Sequence, residues 1–142
     1  MTRYLLDTNI VSDLIRNPQG HVAARIAQVG EETVCTSIIV ASELRYGATK
    51  KGSPRLSAQV DAVLGTLPIL NFEPDADTHY GALRTALEKA GRIIGANDML
   101  IAAHALAAGA ILVTDNAREF SRIEGLTQEN WLREEDNGTA AR

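Results

Sequence analysis

The sequence predicts an α/β fold with a mostly parallel central sheet. Two patterns carry that prediction. Short apolar runs of strand length alternate with longer stretches of helical periodicity, the order that builds a parallel sheet with helices between its strands. One helix, Asn97 to Ala108, is apolar nearly all round, and a helix of that kind is buried. Its many alanines let neighbouring elements approach closely.

The elements follow in order. Arg3 to Leu6 reads as the first strand. Thr8 to Arg16 reads as a helix that Asn17-Pro18 stops. His21 to Val29 forms a second helix and Thr33 to Thr36 a second strand. Ser37, a favoured N-cap, opens a helix running toward Gly47 or beyond. Leu56 to Leu64 is helical. Pro68 to Phe72 is a third strand, with proline at its first position, where a missing N–H is tolerated. Asp75 to Ala90 is a long amphipathic helix closed by Gly91. After the helix from Asn97, Gly109 leads into the strand Ile111 to Thr114, and a short helix runs through Phe120. Arg133 to Arg142 is charged and rich in small residues, so a frayed tail is expected there. No internal repeat or long low-complexity segment interrupts this order.

A chain of 142 residues amounts to about one domain and buries a core without covalent staples. Its single cysteine, Cys35, excludes an internal disulfide and sits in an apolar run, as a reduced core thiol does. That points to the cytoplasm. The apolar run near the start, Tyr4 to Leu6, is too short for a signal peptide. The longest apolar stretch, Met99 to Val113, carries His104 and Gly109 and falls short of the roughly 18 residues that span a bilayer. A net charge of −4 argues against binding nucleic acid through a broad basic surface. Carboxylates gathered around cations would offset that charge locally, so the total does not exclude a metal-filled site.

Four acidic residues stand where an α/β sheet does its chemistry. Asp7 directly follows the first strand, and sites form beyond the carboxyl ends of parallel strands; the bland alternative is an N-cap for the helix from Thr8. Glu43 shares a helix face with Val40, Leu44 and Gly47. A carboxylate on an apolar stripe is costly to bury unless it is paired or holds a metal, and a pair with an arginine such as Arg84 is the alternative. Asp98 lies in the first turn of the most buried helix, where the helix dipole favours an anion; a cap shared with Asn97 is its alternative. Asp115 follows the strand from Ile111 as Asp7 follows the first, and its alternative is an Asx turn or a cap for the short helix behind it. Together these side chains offer oxygen ligands of the kind that Mg²⁺ and Mn²⁺ prefer. The histidines show no ligand spacing. His104 falls six residues after Asp98, about 240° around the helix, so it faces away. No Ser-His-Asp arrangement or phosphate-cradling glycine loop is present.

The segments "LLDTNIVSDLI" (Leu5 to Ile15), "TSIIVASELRYG" (Thr36 to Gly47), "IGANDMLIAAHALAAGAILVTDNAREFSRIEGL" (Ile94 to Leu126) and "ENW" (Glu129 to Trp131) resemble the PIN-domain toxins called VapC. Order and spacing agree to about Leu132. The resemblance implies a three-layer α/β/α PIN-like nuclease domain over residues 1–132, with residues 133–142 as the tail. It implies a Mg²⁺- or Mn²⁺-dependent endoribonuclease acting as the toxin of a type II toxin–antitoxin pair. The implied partners are RNA as substrate, a VapB-like antitoxin whose C-terminal segment blocks the site, and a second copy in a homodimer. The family's acids fall on Asp7, Glu43 and Asp98, and Asn9 matches the asparagine that steadies the first motif. In many PIN domains a fourth aspartate lies two residues after the threonine of the last motif. Here that place holds Asn116, beside Asp115, and Glu119 is positioned to substitute or assist.

These residues suggest metal-assisted hydrolysis of a phosphodiester, with Asp7 and Asp98 holding the principal cation and Glu43 as a further ligand. Attack by water leaves a 5′-phosphate. A phosphatase or phosphotransferase on a similar sheet would carry a second aspartate two residues after the first, where this chain has Asn9. A catalytically inactive PIN-like binding module is the other alternative.

Overall fold

The computed structural model describes residues 2–132, and the tail expected at residues 133–142 lies outside the described residues. Five parallel strands form one sheet in the order β3-β2-β1-β4-β5. They are β1 (Tyr4–Leu6), β2 (Val34–Ser37), β3 (Ile69–Leu70), β4 (Ile111–Val113) and β5 (Gln128–Glu129). The helices are α1 (Thr8–Arg16), α2 (His21–Val29), α3 (Ile38–Lys51), α4 (Pro54–Leu64), α5 (Ala76–Lys89), α6 (Ala96–Ala108) and α7 (Ala117–Phe120). One short 3₁₀ turn, Glu31–Thr33, precedes β2.

The order of the strands decides where a site can form. The chain steps outward from β1 to β2 to β3, then returns to the other side of β1 with β4 and continues to β5. Crossovers between parallel strands are right-handed, so reversing direction moves the connecting helices to the other face. Accordingly α1 packs on α2, α3 and α4, while α5 packs on α6. The point of reversal lies between β1 and β4, and the crevice at the carboxyl ends of those two strands is where such sheets bind ligands. Both strands are buried there: Leu5, Leu6, Leu112 and Val113 are fully enclosed, as a strand covered by helices on both faces must be.

Local chemistry explains most of the boundaries. Ser37 caps α3, its Oγ accepting from Ile39 N at 3.0 Å. The helix runs on to Lys51, four residues past Gly47, and ends at Gly52 in the left-handed region. One glycine costs a helix only about 1 kcal/mol, so Gly47 alone does not stop it. Ser53 caps α4 ahead of a proline in its first turn. The third strand is shorter than its apolar run. Only Ile69 and Leu70 pair with β2, and Pro68 contributes its carbonyl to Thr36 N. Gly91, at φ 67°, closes α5, and Arg92 N donates back to the Leu87 carbonyl, the Schellman pattern that uses up free helix carbonyls.

β5 has no counterpart among the elements expected from the sequence. Two polar residues carry no periodicity, and they form a strand because β4 presents an edge to them. Trp131 then anchors the segment. It is buried, packs on the Tyr4 ring with centroids 5.2 Å apart, and donates from Nε1 to Glu129 at 2.9 Å. Arg25 lies 5.3 Å above the indole and bridges to Glu129 at 3.2 Å. Cys35 is a buried free thiol whose pKa burial pushes up to about 11. Among the described residues no helix is long and apolar enough to cross a membrane.

Candidate active site

A cavity of about 650 Å³ opens at the β1–β4 reversal point and is lined by Asp7, Asn9, Glu43, Asp98 and Asn116, with Thr8, Ser12, Arg16, Tyr46 and Asn97. Three of the four predicted acids therefore share one cavity. Each arrives from a different element.

Asp7 is 4% exposed. It is the N-cap of α1, with Oδ1 accepting from Thr8 N at 2.8 Å. Its other oxygen accepts from Thr114 Oγ1 at 2.7 Å, at the end of β4. The capping role and the site role thus coexist: one oxygen ties the carboxylate to α1, the other to the neighbouring strand. Burial raises its pKa against these hydrogen bonds, and the negative charge of Glu43 raises it further.

Glu43 is half-buried at the edge of the α3 stripe formed by Val40, Ala41, Leu44 and Ala48. The alternative of a pair with Arg84 fails, because Arg84 is engaged by Glu88 and Tyr80 on α5. Glu43 instead accepts from Thr8 Oγ1 through one oxygen and from Asn97 Nδ2 at 3.0 Å through the other. α1, α3 and α6 are thereby drawn together around the cavity.

Asp98 does not cap α6. Gly95 occupies the N-cap without a side-chain bond, and the Asn97 amide is turned to Glu43. Asp98 is half-buried, and its pKa rises to about 6, first through burial and then through the charges of Asp7, Glu43 and Glu119. None of the three cavity acids has an ion-pair partner among the described residues.

The last motif divides. Asp115 is exposed and does not line the cavity; its Oδ1 accepts from Asn130 Nδ2 at 2.8 Å. Its backbone N–H donates to Asn9 Oδ1 at 3.2 Å, so Asn9 braces the β4–α7 loop against α1. Asn116 lines the cavity and donates from Nδ2 to Glu119 Oε1 at 3.1 Å. Glu119 comes near enough to Asp98 to raise its pKa. His104 points elsewhere, bonding Ser37 Oγ at 2.7 Å and meeting the Phe72 ring edge-on.

Sequence reasoning did not single out Arg16 and Tyr46 as cavity residues. Arg16 ends α1 and Tyr46 stands one turn beyond Glu43 on α3. The i, i+3 spacing from Glu43 was the available signal for Tyr46.

A divalent cation suits this donor set. A buried carboxylate with no ion-pair partner is held against its own desolvation and the repulsion of its neighbours, and a hard cation relieves both. Among the described residues no three acidic, histidine or cysteine side chains converge on one point. Mg²⁺ does not require that, since it keeps several waters and commonly takes one or two carboxylates together with substrate phosphate.

Residues 4–126 match the PIN domain family, and the chain belongs to that family. Its likeness is to the VapC members. Ribonuclease VapC2 of Haemophilus influenzae is 41% identical over 133 residues, covering 93% of this chain and 100% of the relative. The tRNA(fMet)-specific endonuclease VapC of Shigella flexneri is 37% identical over 132 residues, covering 92% and 99%. Among solved structures, VapBC2 from Rickettsia felis bound to a DNA fragment from their promoter matches with a TM-score of 0.85 at 39% identity, over 92% of this chain and 99% of that one.

Proposed function

We propose that this chain is the toxin endoribonuclease of a toxin–antitoxin pair and that it hydrolyses RNA phosphodiesters with the help of Mg²⁺ or Mn²⁺. The observation that carries the reading is the crowding of Asp7, Glu43 and Asp98, with no ion pair to any of them among the described residues, in one cavity at the sheet's reversal point. Asp7 and Asp98 are the residues that would hold the principal cation, with Glu43 beside them. When bound, that cation activates water and offsets charge on the phosphate.

The chain's own groups do the positioning. Thr8 N–H and Thr114 Oγ1 fix the plane of the Asp7 carboxylate. Thr8 Oγ1 and Asn97 fix Glu43. These donors leave a lone pair free on each carboxylate oxygen, because an ionised oxygen accepts more than one bond. Asn9 braces the β4–α7 loop, and Asn116 orients Glu119 as the acid of the last motif. In this reading Asp115 is a loop residue held by Asn130. Arg16 is the cavity's cationic side chain and contacts substrate phosphate.

The biological setting of the reading is cytoplasmic, with the chain as a homodimer bound by a VapB-like antitoxin that presents a basic segment to the acidic cavity. The likeness to a VapBC complex supports the antitoxin part of this setting. The decisive experiment incubates purified protein with total RNA, with and without Mn²⁺, and maps the cut ends. Metal-dependent internal cleavage leaving 5′-phosphates is expected. Full cleavage after exhaustive chelation, or 2′,3′-cyclic ends, would contradict the mechanism. Folded protein that binds antitoxin yet cuts no RNA would identify an inactive binding module.

A further inference from the structure

We infer that Tyr46 is the platform on which an unpaired base next to the scissile phosphate stacks. The inference rests on the ribonuclease reading above and deepens it.

Tyr46 is 65% exposed, the most exposed of the large hydrophobic side chains among the described residues; Ile38 is at 39% and Ile93 at 48%. A lone exposed aromatic needs no explanation. This one lines the cavity that holds the three acids. Its hydroxyl has no hydrogen-bond partner among the described residues. Glu43, Tyr46 and Lys50 lie at i, i+3 and i+7 on α3, so they share one face. Tyr46 is about 4.5 Å along the helix axis from Glu43, within the span of one nucleotide. Lys50 Nζ stands 5.7 Å from the ring centroid, near the outer limit of a cation–π contact. A base readily displaces a contact that loose, and the ammonium is left beside the neighbouring phosphate.

The charge of the molecule favours such a contact. With a net charge of −4 and three acids in the cavity, long-range attraction contributes little to holding a polyanion. Stacking on an aromatic face is independent of charge and tolerant of sequence. It also demands a splayed base, which a duplex does not offer.

The test uses full-length protein in an Asp98→Asn background, which prevents cutting during the measurement, and fluorescence anisotropy of a labelled, unstructured RNA. Tyr46→Ala should weaken binding about 5- to 150-fold, the range for loss of one stacked base, whereas Tyr46→Phe keeps the ring and should bind as the parent does. An RNA with one abasic nucleotide beside the cleavage position should lose the same factor on the parent and nothing further on Tyr46→Ala. In the otherwise wild-type chain with Mn²⁺, Tyr46→Ala should raise KM and leave kcat at saturating RNA nearly unchanged. Because the side chain is exposed, melting temperatures should match. If the wild-type chain cuts RNA but Tyr46→Ala binds it as well as the Asp98→Asn parent does, the stacking role is wrong while the ribonuclease reading stands. If Tyr46→Ala loses antitoxin rather than RNA, the ring is a protein contact and the inference is overturned. If the wild-type chain does not cut RNA and the Asp98→Asn parent does not bind it, both readings fall together.

Discussion

Replacing Asp98 by asparagine separates a ligand from a scaffold residue, because the two roles predict opposite changes in stability. Without metal, the folded chain holds the Asp98 pKa at about 6 against an ordinary 3.8. A carboxyl raised on folding binds its proton more tightly in the folded state. Its stabilising contribution is therefore complete below the unfolded value and is lost as pH rises through about 6. A carboxyl held that far above its ordinary value corresponds to a ceiling of about 3 kcal/mol. Asp98 is only half-buried, and solvent screening reduces that to about 1–1.5 kcal/mol. Asparagine has the shape of the carboxyl and none of its charge. In EDTA at pH 8, Asp98→Asn should melt higher than wild type by about 3–6 °C, and the difference should shrink toward zero near pH 4. Cleavage in Mn²⁺ should fall at least about 100-fold, since even residues behind a metal ligand cost 10- to 100-fold. The measurements are thermal melting across pH in EDTA and RNA cleavage in Mn²⁺. Wild-type activity in the variant would refute the ligand role. A variant that melts lower at pH 8 would refute the charge argument.

Three further outcomes follow from the same site and its surroundings. Adding Mn²⁺ to chelated wild type should raise its melting temperature, by the equivalent of about 2.7 kcal/mol at a hundredfold excess over Kd, and should do little for Asp98→Asn; equal increases in both would remove Asp98 from the ligand set. Expression of the chain alone should arrest growth, and co-expression with the small protein encoded beside it should relieve the arrest and yield a complex; harmless expression of RNA-cutting protein would count against the toxin role. His104 is buried, and burial lowers its pKa below the ordinary 6.5 against a bond to the Asn71 backbone and the charge of Glu73. Its contribution is present above 6.5 and is lost as pH falls through the lowered value, opposite in sign to the contributions of Asp7 and Asp98, so the check is the imidazole itself, which should titrate below 6.5. An imidazole resonance that titrates at or above 6.5 would contradict the burial argument.

Much of the frame was legible because it is written in local terms. Leu5 and Leu6 followed by Asp7, Ser37 ahead of α3, and the alanine-rich α6 each announce themselves by composition, capping or periodicity over a few residues. Propensity and burial over such short stretches are enough to set out the sheet and its helices and to put three acids at the carboxyl edge. Which side chains turn into the cavity is a different matter, because direction depends on partners far away in the chain. Thr114, 107 residues from Asp7, fixes one of its oxygens, and Asn97, 54 residues from Glu43, fixes another. Asn130 draws Asp115 outward while Asn116 orients Glu119 near Asp98, a division between neighbours that no periodicity encodes. β5 exists only because β4 offers it an edge and Trp131 finds Tyr4 and Arg25 to pack against. The groups that meet around the cavity are selected by hydrogen bonds and packing between elements, which form only once the chain has closed on itself.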